Sequence, residues 1–251
     1  MKLAGKTDVG RVRQDNQDDY RAGELPGDAA WLLVCDGMGG HAAGEVASSI
    51  AVETIAKTAP QSADAARLAA AVEAANAAVI EAALNGLGKP GMGCTATCAY
   101  IENDTLAIAH VGDSRAYLLH EGTLIRVTRD HSYVEELVDA GEITADEARV
   151  HPNRSVITRA LGSDPAMYAD HFTLHIEEGD RLILCSDGLS SMIPDSDIEN
   201  IATQSSTAQI CVDNLVDAAL AAGGHDNVTV IVVDVKGFAE KRRRKVARKT
   251  K

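Results

Sequence analysis

Short polar connections between strand-forming runs limit the folds that this chain can adopt. Glu102-Asn103-Asp104 and His120-Glu121-Gly122 each separate two runs rich in β-branched or large apolar residues. Connections this short join antiparallel neighbours, because a parallel crossover needs roughly a dozen or more residues. Runs of this kind are found at 31–35, 94–101, 105–111, 115–119, 123–127, 181–185 and 227–235. The sequence therefore predicts strands at these positions, with at least part of the sheet system antiparallel.

Four segments predict helices that would cover such sheets. Segments 42–57 and 62–84 are rich in alanine and keep apolar residues at helical spacing, with Pro60 between them. A third helix is predicted over 207–222 and a shorter one over 131–140. Apolar residues make up 45% of the chain and aromatic residues only 3%, which suits packed layers of helices and strands. The sequence therefore predicts an α+β layered fold.

The stretch between Asp130 and Gly162 has a weaker pattern. Asp, Glu, His, Pro and Arg crowd together there, with few core-type residues among them. Apart from the short helix, we expect an irregular surface insert. Inserts of this length inside a compact domain are commonly lids or binding loops.

The charge balance indicates which partners the chain avoids. Its 24 Lys and Arg residues against 37 Asp and Glu residues give a net charge of −13. A surface of this sign repels nucleic-acid backbones and attracts cations. Segment 241–251 differs, because it holds eight basic residues and no acidic residue. We predict one domain over 1–237 and a mobile, solvated basic tail over 238–251, with docking on an acidic partner or membrane surface as the tail's alternative role.

The cysteines and the hydropathy pattern indicate a compartment. The five cysteines are odd in number and four of them lie in apolar runs, as reduced core thiols do. No apolar stretch approaches the roughly 18 residues of a membrane span, and the first residues contain no signal-peptide core. We therefore expect a soluble, cytoplasmic protein without a membrane span.

Four aspartates stand beside predicted strands. Asp36, Asp113 and Asp187 each follow a strand-forming run, whereas Asp226 precedes the run 227–235. Because the end of one antiparallel strand lies beside the start of the next, all four can meet at one edge of the structure.

A cluster of four carboxylates predicts a metal site. Carboxylates in one cleft raise each other's pKa values unless a cation compensates them. Oxygen ligands without His or Cys favour Mg²⁺ or Mn²⁺. The glycines that follow Asp36 and Asp187 would let a carbonyl or phosphate oxygen come close. A single Asp-Gly pair is usually a turn, but four aspartates at strand edges favour a metal site.

Several short motifs stand in a fixed order along the chain. They are Arg13-Gln14-Asp15-Asn16-Gln17-Asp18, Asp36-Gly37-Met38-Gly39-Gly40-His41, Val111-Gly112-Asp113-Ser114-Arg115-Ala116, Ser186-Asp187-Gly188 and His225-Asp226-Asn227-Val228-Thr229. Weaker ones are Gly93-Cys94-Thr95-Ala96, Asp130-His131-Ser132 and Thr158-Arg159-Ala160-Leu161-Gly162. From about residue 2 to residue 235 the chain thus resembles the bacterial type of the protein phosphatase 2C family, and so many ordered motifs are very specific.

The resemblance implies a metal-dependent serine/threonine protein phosphatase. Its fold would be a four-layer αββα sandwich, two antiparallel sheets flanked by helices. Two Mn²⁺ or Mg²⁺ ions would activate a water for in-line attack on phosphorus, and bacterial members hold a third ion. Asp36 would bridge the two ions, the carbonyl of Gly37 would bind one of them, and Asp187 and Asp226 would complete the other site. Asp113, together with Asp187, would bind the third ion.

Further residues join the site by resemblance. Arg13 matches the phosphate-binding arginine, whose planar fork suits phosphate oxygens. Asp18 would lie near the metals, bound directly or through water, and Asn227 would orient a neighbouring ligand or metal-bound water. Met38 stands where animal members carry a histidine proposed as general acid. The proton donor is therefore open between His41 and a metal-bound water, and a structural role for His41 in the glycine turn is the alternative.

The insert at 131–163 lies where bacterial members have a flap beside the active site. We expect it to help select phosphoprotein substrates. Bacterial members commonly oppose a Ser/Thr kinase, so such a kinase and its targets are the expected partners, and we expect the chain to act as a monomer.

Two other functions compete with this interpretation. Gly112-Asp113-Ser114-Arg115-Ala116 approaches the nucleophile elbow G-x-S-x-G of serine hydrolases, but it lacks the last glycine and runs into a hairpin strand rather than a helix. A catalytically silent module of the same fold, which binds metal or a phosphoprotein, is the second alternative. The presence of Asp36, Asp187 and Asp226 argues against it.

Overall fold

The computed structural model describes residues 1–40, 43–59 and 62–236. The strands in these ranges are β1 (Lys2–Asp8), β2 (Asp18–Leu25), β3 (Ala29–Met38), β4 (Gly93–Cys94), β5 (Ala96–Glu102), β6 (Thr105–Val111), β7 (Arg115–His120), β8 (Thr123–Arg126), β9 (Asp170–His175), β10 (Arg181–Cys185) and β11 (Val228–Asp234). The helices are α1 (Ala43–Thr58), α2 (Ala65–Leu84), α3 (Tyr133–Asp139), α4 (Ala145–Val150), α5 (Asp187–Ser190), α6 (Asp195–Gln204) and α7 (Ala208–Ala221). The basic tail predicted over 238–251 lies outside the described residues.

The strands form two sheets. One has the order β1-β11-β10-β7-β8, and the other has the order β2-β3-β5-β6-β9, with β4 attached to β3. The pairings between these strands are antiparallel, which confirms the prediction from the short connections. In the two predicted hairpins, Asn103 and Glu121 have φ values of 55° and 49°. This left-handed conformation belongs to tight hairpin turns.

The apolar side chains fill three layers. In β3, Leu32 and Val34 point between the two sheets, whereas Leu33 and Cys35 point toward α1 and α2. This alternation follows from the two-residue period of a strand. On the other side of the molecule, α6 and α7 cover the first sheet. The four-layer αββα sandwich implied by the resemblance is confirmed.

Helices α2 and α7 each begin at a capping residue. Asp64 accepts a hydrogen bond from the backbone N–H of Arg67 at the start of α2, and Thr207 accepts one from Ile210 at the start of α7. Such caps satisfy N–H groups that have no partner within the helix. Both helices agree with the predictions over 62–84 and 207–222.

Three strands and three helices were not predicted from the sequence. The strands are β1, β2 and β9, and each lies at the edge of a sheet. Few of their side chains are buried, so their sequences lack the apolar runs that indicate the central strands. Helix α6 buries only Ile198 and Ala202, and α5 is four residues long.

The insert is more regular than predicted. It contains the expected short helix as α3 and also the unpredicted α4. Helix α4 buries none of its residues, so no apolar stripe reveals it. It is instead held by a capping box, in which Thr144 and Glu147 each bond the other's backbone N–H.

The cysteines agree with the prediction made from their sequence context. All five cysteines are free and buried, as expected of core thiols. None of the helices in the described ranges is both long and apolar enough to cross a membrane.

Candidate metal centre

Three aspartates reach one end of the sandwich from three different elements. Asp36 comes from β3, Asp187 opens α5 directly after β10, and Asp226 lies in the loop before β11. Burial and the charge of Asp226 raise the pKa of Asp187 to about 6, while a hydrogen bond from Asp36 lowers it. The three carboxyl groups are therefore close neighbours, as the strand-end argument predicted.

The position of Asp36 differs from the prediction. We expected Asp36 to follow a strand that ends at Cys35, but β3 continues to Met38. The backbone stays extended because Asp36 pairs with Asp18 of β2 and the following Gly37 pairs with Cys94 of β4. β2 was not predicted, and the predicted strand over 94–101 did not distinguish β4 from β5. Asp36 consequently lies within the sheet, where its backbone is fixed on both sides.

Asp18 is buried between the two sheets. Its Oδ2 accepts hydrogen bonds from Ser186 Oγ and Thr229 Oγ1, both at 2.7 Å, and its Oδ1 is buried without a partner. Burial raises the pKa of Asp18 to about 7, although the two hydroxyl groups favour its charged form. The hydroxyl groups thus orient one carboxylate oxygen and leave the other available for a ligand.

Burial and mutual repulsion disfavour the charged forms of the clustered carboxyl groups. Burial, followed by the charges of Asp18 and Asp187, raises the pKa of Asp36 well above its usual value. Burial and the charge of Asp187 do the same to the pKa of Asp113. Carboxyl groups in such surroundings keep their protons unless a cation is present.

Arg13 supplies a positive charge at the rim of this cluster. Its Nη2 donates a hydrogen bond of 2.6 Å to Oδ2 of Asp226. Arg13 lies outside the strands and helices, between β1 and β2. About half of its side chain is exposed, so the guanidinium can also reach an anion in solvent.

The side chain of Asn227 fixes the loop that carries Arg13. Its Oδ1 accepts from the backbone N–H of Gln17 at 2.8 Å, and its Nδ2 donates to the carbonyls of Val9 and Asp15 at 2.9 and 3.0 Å. We expected Asn227 to orient a ligand next to it. It is the backbone N–H of Asn227 that does this, by donating to Oδ1 of Asp226 at 2.9 Å.

Replacing Asn227 by alanine is expected to destabilise the fold by about 2–4 kcal/mol, because it leaves one donor and two acceptors of the loop without partners. Urea unfolding measures this loss. Asn214→Ala is the matched control, since Asn214 forms a single side-chain hydrogen bond of 3.5 Å. Equal midpoints for the two variants would contradict the structural role of Asn227.

Asp113 is positioned by a histidine that the sequence analysis did not select. The backbone N–H of Gly112 donates to His131 Nδ1 at 3.0 Å, and the backbone N–H of His131 donates to the Gly112 carbonyl at 2.8 Å. The other ring nitrogen, Nε2, donates to Asp170 at 3.1 Å. Because Nδ1 accepts, this arrangement requires a neutral ring, and burial lowers the pKa of His131 accordingly. Oδ1 of Asp113 is buried without a partner.

Close backbone packing explains two of the motif glycines. A Cβ atom on Gly188 would lie 1.9 Å from the carbonyl oxygen of Asn227, and one on Gly37 would lie 2.2 Å from the carbonyl oxygen of Gly44. We expected these glycines to let a carbonyl or phosphate oxygen come close. Carbonyl oxygens of the chain itself occupy both positions, and the contact at Gly188 brings α5 against the loop that carries Asp226.

A cleft of about 410 Å³ opens beside the cluster. Asp113, Asp187 and Asp226 line it together with residues of the insert, among them Ser132 and Arg149. The predicted location of the insert beside the aspartates agrees with this arrangement. His41, the candidate proton donor, lies outside the described residues.

Sequence reasoning missed the residues that support the carboxylates. Ser186, Thr229 and His131 all fall within the ordered motifs, so their motif positions were the available signal. Their roles depend on contacts between distant segments, which a spacing pattern does not contain. Thr95 is a further case, because its hydroxyl accepts from the backbone N–H of Asp36 at 2.9 Å.

The donor chemistry of the cluster fits hard divalent cations. Carboxylate oxygens dominate it, and two of them, on Asp18 and Asp113, are buried without a hydrogen-bond partner. Within the described ranges, no three His, Cys, Asp or Glu side chains already stand in a metal-binding arrangement. Asp226 is instead engaged by Arg13, and Asp36 by Asp187. Oxygen donors of this kind suit Mg²⁺ or Mn²⁺.

Comparison with known sequences gives one consistent result. The family model described as Protein phosphatase 2C matches residues 14–228. The chain is 41% identical over 244 residues to the serine/threonine protein phosphatase PstP of Mycobacterium tuberculosis, covering 95% of this chain and 46% of that protein. It thus spans about half the length of this relative. It is 36% identical over 241 residues to the serine/threonine phosphatase Stp of Listeria monocytogenes, covering 93% and 96% of the two chains.

Solved structures agree with the sequence comparison. The crystal structure of PstP/Ppp from Mycobacterium tuberculosis superposes with a TM-score of 0.86 at 39% identity, covering 94% of this chain and 99% of that one. The catalytic domain of PstP in complex with two manganese ions gives a TM-score of 0.84 at 38% identity, covering 94% and 98%. Matches of this extent in both sequence and fold show common ancestry. The chain therefore belongs to the protein phosphatase 2C family.

Proposed function

We propose that this chain is a metal-dependent phosphatase that hydrolyses phosphoserine and phosphothreonine in proteins. The convergence of Asp36, Asp187 and Asp226 beside Arg13, at the mouth of a cleft, carries the proposal. It provides carboxylate ligands for cations and a guanidinium for phosphate in one place. The relatives named as serine/threonine phosphatases support this activity, and so does the relative that holds two manganese ions.

The ligand assignment follows from the positions of the donors. Asp36 would hold both of two Mn²⁺ or Mg²⁺ ions, with the Gly37 carbonyl on one and with Asp187 and Asp226 on the other. Asp113 and Asp187 would hold a third ion. When bound, the cations lower the pKa of a water molecule and offset charge on the phosphoryl group.

The residues around the ligands have separate tasks. Asp18 is held by two hydroxyl groups at Oδ2, and its Oδ1 would be available to the cations or their waters. Arg13 exchanges Asp226 for phosphate oxygens, because a guanidinium binds phosphate through two parallel hydrogen bonds. Met38 carries no transferable proton, so the leaving hydroxyl group takes its proton from His41 or from water.

The cellular setting is proposed on the resemblance to bacterial members. The substrates would include a Ser/Thr kinase and the proteins that it phosphorylates. We propose that the chain acts as a monomer, because the cleft and its carboxylates are built from one chain. On the same resemblance, we propose that it acts in the cytoplasm.

Hydrolysis of p-nitrophenyl phosphate and of a phosphothreonine peptide tests the activity. We expect turnover in the presence of Mn²⁺ and its loss in EDTA, with recovery when Mn²⁺ is restored. A protein that binds Mn²⁺ and hydrolyses neither compound would be the catalytically silent module considered above.

Mn²⁺ is also expected to raise the stability of the folded chain. Saturation at about one hundred times the Kd stabilises by about 2.7 kcal/mol, which corresponds to an increase in Tm of roughly 5–10 °C for a domain of this size. Thermal unfolding with and without EDTA measures the shift. We expect the shift to be lost in Asp187→Asn and Asp226→Asn, while Asp217→Asn, a substitution of a side chain that is 71% exposed, retains it. If Mn²⁺ raised the Tm of Asp187→Asn and Asp226→Asn as much as that of wild type, neither residue would be a metal ligand.

A further inference from the structure

Two arginines in the cleft lack the partners that the other cleft arginines have. Arg149 on α4 and Arg154, which follows α4, both line the cleft beside Asp187 and Asp226. In the part of the chain that the structure describes, neither guanidinium forms a hydrogen bond or ion pair. The Nε atom of Arg149 is also buried without a hydrogen-bond partner. A buried donor without a partner is costly unless it has a ligand.

The remaining cleft arginines are neutralised within the fold. Arg115 binds Asp130 through Nε and Nη2, with distances of 2.8 to 3.1 Å. Arg126 contacts Asp130 at 2.7 Å and Glu135 at 3.2 Å. These ion pairs fix the base of the insert. The available positive charge of the cleft is therefore concentrated at Arg149 and Arg154.

We propose that Arg149 and Arg154 form a subsite for a second anionic side chain of the substrate, close in sequence to the phosphorylated residue. The inference deepens the proposed function, because it assumes that the phosphorylated residue lies at Asp187 and Asp226. It assigns the chain to acidic or multiply phosphorylated segments as preferred substrates. Carboxylate and phosphate groups share the chemistry that a guanidinium recognises.

The net negative charge of the whole chain means that an acidic substrate needs a local positive charge in order to bind. A net charge of −13 repels an acidic phosphopeptide, so binding in the cleft needs a local attraction. Asp146, one turn before Arg149 on α4, lines the same cleft and opposes this attraction. Removal of its charge should therefore strengthen the preference for acidic substrates.

Matched peptides test the subsite. The peptides share one phosphothreonine and differ in the neighbouring residues, which are neutral amides, carboxylates or a second phosphothreonine, placed at successive positions on either side. For the wild-type chain we expect kcat/KM to be about tenfold higher for the best anionic peptide than for the neutral one, since about 1.4 kcal/mol is a factor of ten. The difference should appear in KM, because the subsite does not contact the reacting atoms.

Charge-removing variants separate the subsite from general electrostatics. Arg149→Gln and Arg154→Gln should each abolish most of the preference and leave p-nitrophenyl phosphate hydrolysis unchanged, whereas Arg149→Lys should retain part of it. Asp146→Asn should increase the preference. Arg67→Gln is the control, because Arg67 lies on α2 with a side chain that is 75% exposed, and its loss changes the net charge equally. Arg154 is exposed, so its substitution leaves the fold intact.

The outcomes are distinguishable. A wild-type chain without preference, or an equal effect of Arg67→Gln, overturns the subsite while the phosphatase activity stands. The two anionic series identify whether carboxylate or phosphate is the better ligand, and an effect in either series supports the proposal. If no peptide is hydrolysed, the proposed function fails. Binding measured by fluorescence anisotropy then tests the subsite. The proposal predicts that the doubly phosphorylated peptide binds Arg154→Gln about tenfold more weakly than it binds the wild-type chain.

Discussion

Replacing Asp36 by asparagine is expected to abolish metal-dependent hydrolysis and, at the same time, to make the metal-free protein more stable. The activity should fall by on the order of 10³-fold or more, as for other residues that hold the reacting groups. The gain in stability follows from the raised pKa of the Asp36 carboxyl, which burial and the charge of Asp18 produce. Asparagine keeps the shape of the side chain but carries no charge to bury.

The pH dependence has a defined sign. In the unfolded chain Asp36 loses its proton near its usual pKa of 3.8, whereas the folded chain holds the proton to higher pH. The unfolding free energy contributed by this carboxyl therefore falls as pH rises above about 4 toward the folded pKa. In the metal-free Asp36→Asn variant, the unfolding free energy should not show the decrease with rising pH that the Asp36 carboxyl contributes.

Chemical denaturation in EDTA between pH 4 and 8 measures the difference. Near pH 8 we expect the unfolding free energy of Asp36→Asn to exceed that of wild type by about 1–3 kcal/mol. This is the usual cost of an uncompensated buried polar group in proteins. Asp217→Asn again serves as control for a neutral substitution at an exposed site. A variant that keeps a tenth of wild-type activity, or one less stable than wild type in EDTA at pH 8, would show that Asp36 is not the central carboxylate.

Replacing Gly188 by alanine is expected to cost about 2–4 kcal/mol and most of the activity. The added methyl group would stand 1.9 Å from the carbonyl oxygen of Asn227. The atoms that the methyl group would meet belong to the backbone of Asn227 and Val228, so no side-chain rotation relieves the overlap. Helix α5 and the loop before β11 must move apart, which separates Asp187 from Asp226.

Gly23→Ala is the matched control on the same fold. A Cβ atom at Gly23 would have its nearest neighbour, Nε1 of Trp31, at 3.6 Å, an ordinary contact distance. Urea unfolding and p-nitrophenyl phosphate turnover should therefore be close to wild type in Gly23→Ala and strongly reduced in Gly188→Ala. If Gly188→Ala folded and turned over normally, the spacing between α5 and the Asp226 loop would not limit the activity.

The central strands were predictable because their burial leaves a local signal. β10 and β11 are buried at every residue, and most of their residues are apolar, which makes them recognisable in the sequence. β1 and β2 lie at sheet edges with one half-exposed face, so their composition resembles that of loops. Helix α4 has a stabilising capping box but no core contact, and the apolar periodicity used to find helices does not detect it.

Some residues of the candidate site could likewise be identified from the sequence, and others could not. Asp113, Asp187 and Asp226 could be selected from strand boundaries alone, and Arg13 and Asp18 from the resemblance. The hydroxyl groups that hold Asp18 come from segments 168 and 211 residues away. Such partners are chosen by the packing of the two sheets, and no feature of the Asp18 neighbourhood in the sequence identifies them.

The place of β11 in the first sheet has a consequence for synthesis of the chain. β11 lies between β1 and β10, and Lys2 is paired with Asp234. During translation β1 has no β11 to pair with until the intervening segments have been synthesised, which takes roughly 10–50 s at usual rates of translation. Until then β1 and β10 both expose an open backbone edge, and Asp226 is missing from the carboxylate cluster. A nascent chain thus completes its carboxylate cluster and its first sheet together, because Asp226 and β11 are made after Asp36 and Asp187.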